Sequence, residues 1–226
     1  MDKISGIVLH SLSRDMHTVN QISTNTQHVT TTGFKALLVS DAAVTDQVKA
    51  PGQVIDMAQG ELKQTGRHLD LAVQGAGWFV LRSGKTVALT RNGQFQLDRA
   101  GYVVDSRGFR LQSLNGDIQL DSTHIRVDSD GKISDTSGSV EHLILASVGE
   151  IYSDQYHQGH ILYEKMPKLE IDSQSQVLQG YLEQSNVDSA SEVVELMTAK
   201  RHIQTMQKTL AAYDQVLKKT INELGK

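Results

Sequence analysis

Cysteine is absent from all 226 residues, which excludes disulfides, thiolate catalysis and Cys-ligated zinc together. A chain without thiols also suits an oxidising space in which cross-linking would be harmful. Basic residues are not in excess: 22 Lys and Arg stand against 26 Asp and Glu, a formal net charge of −4 and a pI of about 6.1. No positive field therefore exists to hold nucleic acid or an anionic membrane. No apolar run reaches the roughly 18 residues needed to cross a bilayer, so no membrane insertion is expected. The opening residues, MDKISGIVLHSLSRD, lack the apolar core and small-residue cleavage site of a secretory signal, so no cleaved leader is expected. Proline occurs twice and 38% of residues are hydrophobic. These absences leave a polar, modestly cored globular chain.

What is present falls into distinct periodicities. Near the start, Leu12, Met16, Val19 and Ile22 recur at spacings of three and four, the mark of an amphipathic helix over residues 1–32. Thr and Ser then crowd in as STNTQHVTTTG, which predicts a helix stop before Gly33. Residues 33–68, broken by Pro51-Gly52, form an extended or irregular connector in which 36–44 fits either helix or strand. Between 69 and 178 the period changes to two, as in Leu69, Leu71 and Val73. Turn signals follow at Asn92-Gly93, Gly101, Gly108, Asn115-Gly116 and Asp130-Gly131. Short strands at about ten-residue spacing indicate an antiparallel β domain, sandwich or partial barrel. The fold class is therefore mainly β with long N- and C-terminal α-helices. In the last part, 179–226, Leu196, Ile203, Met206, Leu210, Tyr213 and Leu217 lie on a narrow heptad seam, with Ser189 or Ser191 placed to cap the helix. Such seams at both termini read as assembly surfaces forming a coiled coil. The alternatives are packing on the chain's own β domain or an internal hairpin of the two helices.

Candidate chemistry is sparse. His157 and His160 in YHQGH have no Cys or carboxylate triad at ligand spacing and read as a polar loop. Asp128-Ser129-Asp130-Gly131 opens like a calcium loop but has Ser139 where the twelfth-position glutamate belongs, so it reads as a β-turn. Gly75-Ala76-Gly77 begins like a nucleotide fingerprint, yet Val80 replaces the third glycine and a strand follows. The carboxylates Asp154, Glu164, Asp98 and Asp105 are indistinguishable from turn acids. Trp78 reads as core, one of the pair Trp78-Phe79 pointing inward. No enzyme active site, metal site or cofactor is expected.

Three stretches together resemble the rod and hook family of bacterial flagellar axial proteins. The first runs from Asn25 through Thr32 to Gly33-Phe34-Lys35, similar to that family's N-T-x-G-F-K ending of the first helix. The second is LDLAVQGAGWF from Leu69, followed by Thr90-Arg91-Asn92-Gly93-Gln94-Phe95 and Asp98-Arg99-Ala100-Gly101-Tyr102. The third is Gln179-Gly180-Tyr181-Leu182-Glu183-Gln184-Ser185-Asn186-Val187, leading into the last helix. The chain differs from the pattern at Thr24, His28 and Thr30, where asparagine is usual. Gly77-Trp78 and the phrase TGRHLD from Thr65 look most like the proximal rod member of the family, ahead of the distal rod and the hook.

The resemblance implies a structural protein that self-associates and contacts other rod or hook subunits as a helical tube. It further implies export through the flagellar type III apparatus without a cleaved signal, location in the periplasmic rod of the basal body, and torque transmission as the mechanism. The seam residues of both helices would then be subunit interface. Asn25, Thr32, Gly33, Phe34, Gly180, Tyr181, Ser185, Asn186 and Val187 would form the joints between helices and β domain. A reading from a different class is a solitary β-domain binding module.

Overall fold

A computed structural model describes residues 2–40, 52–135, 140–149, 155–163 and 170–224. The chain separates into two compact units: one holds both helices (1–27 and 188–226) together with 39–52, and the other comprises 28–38 and 53–187. All the strand pairs whose register is resolved are antiparallel.

In the helical unit, α1 (Asp2–Gln27) and α2 (Ser189–Leu224) form as the apolar spacing predicts. At about 1.5 Å per residue, the 36 residues of α2 extend about 54 Å. Its cap is neither Ser189 nor Ser191. Asp188 Oδ1 accepts the amide of Ala190 at 3.0 Å and its carbonyl takes the first helical bond from Glu192, which makes Asp188 the capping residue. A carboxylate also suits the positive end of the helix dipole better than a hydroxyl does. The two helices pack against each other and run antiparallel. Asn25 Nδ2 meets Glu192 Oε1 at 2.7 Å near one end, and Asp15 Oδ2 meets His202 Nδ1 at 2.6 Å ten residues further along each helix.

The segment read as an extended or irregular connector contains short strands, one of them within the 36–44 stretch that fitted either helix or strand. β1 (Leu37–Ser40) pairs with β2 (Gly52–Ile55), and β3 (Leu62–Gln64) pairs with β19 (Tyr181–Glu183). β4 (Leu71–Gln74) pairs with β18 (Gln176–Gln179), so the chain leaves the unit beside the strands with which it entered. The main sheet runs β15 (Tyr156–His157), β16 (His160–Tyr163), β6 (Thr86–Thr90), β5 (Trp78–Ser83), β9 (Arg110–Ser113), β8 (Val103–Val104) and β7 (Gln96–Leu97). β10 (Gly116–Asp117) adds to β9, β14 (Leu145–Ser147) adds to β5, and β17 (Glu170–Ile171) adds to β14. β11 (Ile125–Val127), β12 (Lys132–Asp135) and β13 (Val140–His142) form a separate meander. Asp128–Gly131 is the turn between β11 and β12, closed by the Gly131 amide on the Asp128 carbonyl, so it is a β-turn as expected.

β5 organises the packing. Trp78 and Val80 point into one apolar cluster with Phe34, Leu89 and Ile161, while Phe79 and Leu81 point into another with Leu71, Phe95 and Leu111. The expectation that one of Trp78-Phe79 faces inward is therefore exceeded. Trp78 is core, and so is Phe79, because β5 is central in a sheet covered on both faces. Phe79 also meets Phe95 edge-to-face, with centroids 5.4 Å apart. Phe79→Ala should lower the unfolding free energy of the β unit by about 3–5 kcal/mol, measured by urea denaturation followed through the single tryptophan. A loss within experimental error would show that the second cluster collapses to fill the cavity.

Candidate functional site

The three recognisable stretches meet inside the β unit at a cluster of buried charges. Lys35 follows the turn after α1, Arg91 follows β6, and Glu183 ends β19. Lys35 Nζ lies 2.6 Å from Glu183 Oε1 and Arg91 Nη1 lies 3.2 Å from Glu183 Oε2, all three side chains at 2% exposure or less. Each member has further partners, as buried charge requires. Lys35 Nζ donates to the Ala58 carbonyl and Gly60 N donates to Glu183 Oε1. Arg91 donates to the carbonyls of Val73 and Gly75, and its guanidinium lies 5.5 Å from the centre of the Trp78 ring. Burial lowers the pKa of Lys35 and of Arg91 against the opposing pull of Glu183. Two cations on one carboxylate make a strongly directional knot.

The backbone closes around this knot. Gly33 has φ +67° and donates its amide to the Glu183 carbonyl at 2.7 Å. A Cβ on Gly33 would stand 2.3 Å from the backbone of Arg91 and Asn92, so glycine is required by both conformation and space. Phe34 is buried, stacks on His28 and packs in the Trp78 cluster, where Val187 joins it. Asn186 ties the second crossing. Its Oδ1 accepts the Ala36 amide at 2.7 Å, and its Nδ2 donates to the carbonyls of Asp56 and Ala58. The Ser185 hydroxyl accepts the Val187 amide. Tyr156 Oη accepts the Lys35 amide at 2.7 Å, and burial raises that phenol's pKa.

The sequence-derived joint residues thus divide. Gly33, Phe34, Ser185, Asn186 and Val187 gather around the charged knot. Gly180 (φ +77°) instead accepts the amides of Thr65 and Gly66, and half-buried Tyr181 pairs with Gln64 on β3. Thr32 is half-buried in the turn after α1. Asn25 is wholly buried in the helical unit, bonded to Glu192. The sequence reading missed Lys35, Arg91 and Glu183 as site residues. The first and third stretches each carry a single charge, Lys35 and Glu183, of opposite sign, but the second carries Asp70, Arg91, Asp98 and Arg99, so spacing alone did not single out Arg91.

The seam residues are partly covered. On α1, Ile22 is buried, Leu12 and Val19 are half-buried, and Met16 is 58% exposed. On α2, Ile203, Met206 and Tyr213 are half-buried, Leu196 and Leu210 are exposed at 39% and 37%, and the side chain of Leu217 lies outside the described residues. Val193, Val194 and Met197 on α2 are exposed as well.

The histidine reading needs correction. His160 is not in a polar loop. It lies on β16, is buried, and places Nε2 3.0 Å from Asp105 Oδ2, because the β15–β16 hairpin folds against the turn after β8. His157, on the same hairpin, is exposed. Asp98 and Asp105 do act as turn acids, accepting the amides of Ala100 and Tyr102 and of Arg107 and Phe109 respectively. Asp154 and Glu164 lie outside the described residues. Among the described residues no group of three or more His, Asp or Glu could hold a metal ion, and no helix is long and apolar enough to cross a membrane.

Comparison with known proteins places these features in a family. Residues 72–135 match the flagellar hook protein FlgE/F/G D1 domain, and residues 178–224 match the flagellar basal body rod FlgEFG protein C-terminal region. The chain is 31% identical to the flagellar basal-body rod protein FlgG of Bacillus subtilis, over 71% of this chain and 67% of that one. It is 28% identical to the rod protein FlgF of Rhizobium meliloti over 92% of this chain and 91% of that one. Against FlgF of Caulobacter vibrioides it is 26% identical over 95% and 96%.

Two outcomes test the site. Glu183→Gln leaves Lys35 and Arg91 buried without their carboxylate and should cost about 3–5 kcal/mol of β-unit stability by urea denaturation. A variant as stable as the parent would remove the knot from its central place. Burial alone would raise the carboxyl of Asp105, but bonds from His160, Phe109 and Arg107 outweigh it and hold the group below its ordinary pKa. Its contribution is therefore present above about pH 4, the unfolded value, and is lost as pH falls through the lower folded value. The stability gap between parent and Asp105→Asn should close on acidification through that window. A gap independent of pH would refute the assignment.

Proposed function

The chain belongs to the flagellar basal-body rod family, whose members are structural proteins rather than enzymes, and we propose that it forms the proximal segment of the rod. It polymerises there with copies of itself and with other rod or hook subunits as a helical tube that carries torque across the periplasm. The subunit reaches its place through the flagellar type III apparatus without a cleaved signal. The observation that carries this reading is apolar surface left in water on a helix pair: Met16, Leu196 and Leu210 on the predicted seams, with Val193, Val194 and Met197 beside them. Exposed large apolar side chains of this kind on a helix pair serve association. A heterologous contact that does not close on itself builds a filament from it. Coiled-coil packing of the terminal helices against their neighbours completes the burial that α1 and α2 leave unfinished.

The full-length alignment with FlgF relatives supports the proximal assignment, since it leaves no large segment of either chain unmatched. A distal rod subunit is the second reading, drawn from the 31% identity to FlgG. The lower coverage of that relative and the short 33–68 segment weigh against it.

Leu210→Asp should prevent incorporation into the rod while the β unit keeps its urea midpoint. Normal incorporation would sink the seam assignment. Amide exchange on the dilute full-length chain should be faster in 1–27 and 189–224 than in 69–135, because the helices await partners. Equal protection throughout would favour a self-contained binding module.

A further inference from the structure

Polar groups occupy the helix pair where its sequence stripe leads one to expect carbon. Gln21 and Asn25, one turn apart on α1, are 3% and 0% exposed, and Glu192 on α2 is 8% exposed. Asn25 Nδ2 donates to Glu192 Oε1 at 2.7 Å. Gln21 Oε1 and Glu192 Oε2 are buried and accept no hydrogen bond among the described residues. The more exposed Asp15–His202 contact obeys the same antiparallel register, since 15 + 202 and 25 + 192 both equal 217.

The apolar seam does not specify that register. Leu196, Ile203, Leu210 and Leu217 repeat every seven residues, so a slide of one heptad, about 10.5 Å, offers α1 a similar row of side chains. The polar pair does not survive such a slide. In one direction Asn25 faces Ala199 and Glu192 passes beyond the end of α1; in the other, Glu192 faces Thr18 and Asn25 passes beyond the start of α2.

We propose that Asn25 and Glu192 are the specificity determinant of the terminal helices, fixing the register of α1 on α2 and hence which apolar face the subunit offers its neighbours. A buried polar layer in a helical seam acts this way at a cost in stability, because every other register leaves its groups unpaired. Burial raises the carboxyl of Glu192, against the bond from Asn25 and with help from Glu195 and Asp188. The consequence for assembly rests on the rod reading above; the register itself does not.

The cysteine-free chain makes the test clean. Thr18 and Ala199 line one groove between the helices and satisfy the 217 register, whereas Thr18 with Met206 reports a slide of seven. Full-length chains carrying Thr18→Cys with Ala199→Cys, or Thr18→Cys with Met206→Cys, are oxidised at low concentration. The first pair should close at least about tenfold more than the second, the ratio that corresponds to one buried charged hydrogen bond. That ratio should fall towards one in an Asn25→Leu/Glu192→Leu background and hold in Glu192→Gln, which keeps the acceptor and adds donors. No preference in the native background, or a preference untouched by the double leucine change, overturns the proposal. Incorporation into rods is scored separately. A chain that loses register yet incorporates normally overturns the assembly consequence, while an intact register in a chain that never incorporates counts against the rod reading alone.

Discussion

Three distant segments of the β unit converge on one fully buried carboxylate, that of Glu183. Glu183 can be ionised at that depth only if cations and backbone donors surround it, and Lys35, Arg91 and the Gly60 amide do so from three distant parts of the chain. Satisfying Glu183 therefore requires the segment after the first helix, the end of β6 and the segment before the last helix to arrive at one point. The close approach of Gly33 to the Arg91 backbone and the four-way bonding of Asn186 are consequences of that convergence. Such a knot holds by direction as well as by burial. That suits a protein whose two ends enter and leave the same unit side by side.

The second constraint is the double-sided burial of β5. A strand with one wet face alternates polar and apolar residues, but Trp78-Phe79-Val80-Leu81 is apolar throughout and feeds two clusters. The cluster on the Trp78 side also takes Phe34 and Val187, so the charged knot and the core share a wall. Disturbing either is felt by the other, because close-packed interiors transmit strain rather than absorb it.

The helices follow a different economy. Ile22 and Ala199 are buried in their unit, while Met16, Val194 and Met197 stay in water. Burying a side chain of this size is worth about 1.5–3 kcal/mol, a reserve that a family of rod proteins has reason to hold for its neighbours. A polar layer at Asn25 and Glu192 within such a pair trades stability for uniqueness.

The sequence by itself determined the periodicities, and through them the element types. Both helices, the antiparallel β middle and the turn at Asp128–Gly131 follow from spacing and from residues whose backbone preferences act locally. The family followed from three short stretches in fixed order. Tertiary structure alone decided which charges pair, because Lys35 and Glu183 are 148 positions apart and no local rule connects them. It decided too that Asp188 rather than a neighbouring serine caps α2, that Phe79 is as buried as Trp78, and that His160 meets Asp105 across 55 positions. The reason is common to all four. Local pattern records what a residue prefers, whereas burial and pairing depend on what the rest of the chain brings to the same few ångströms.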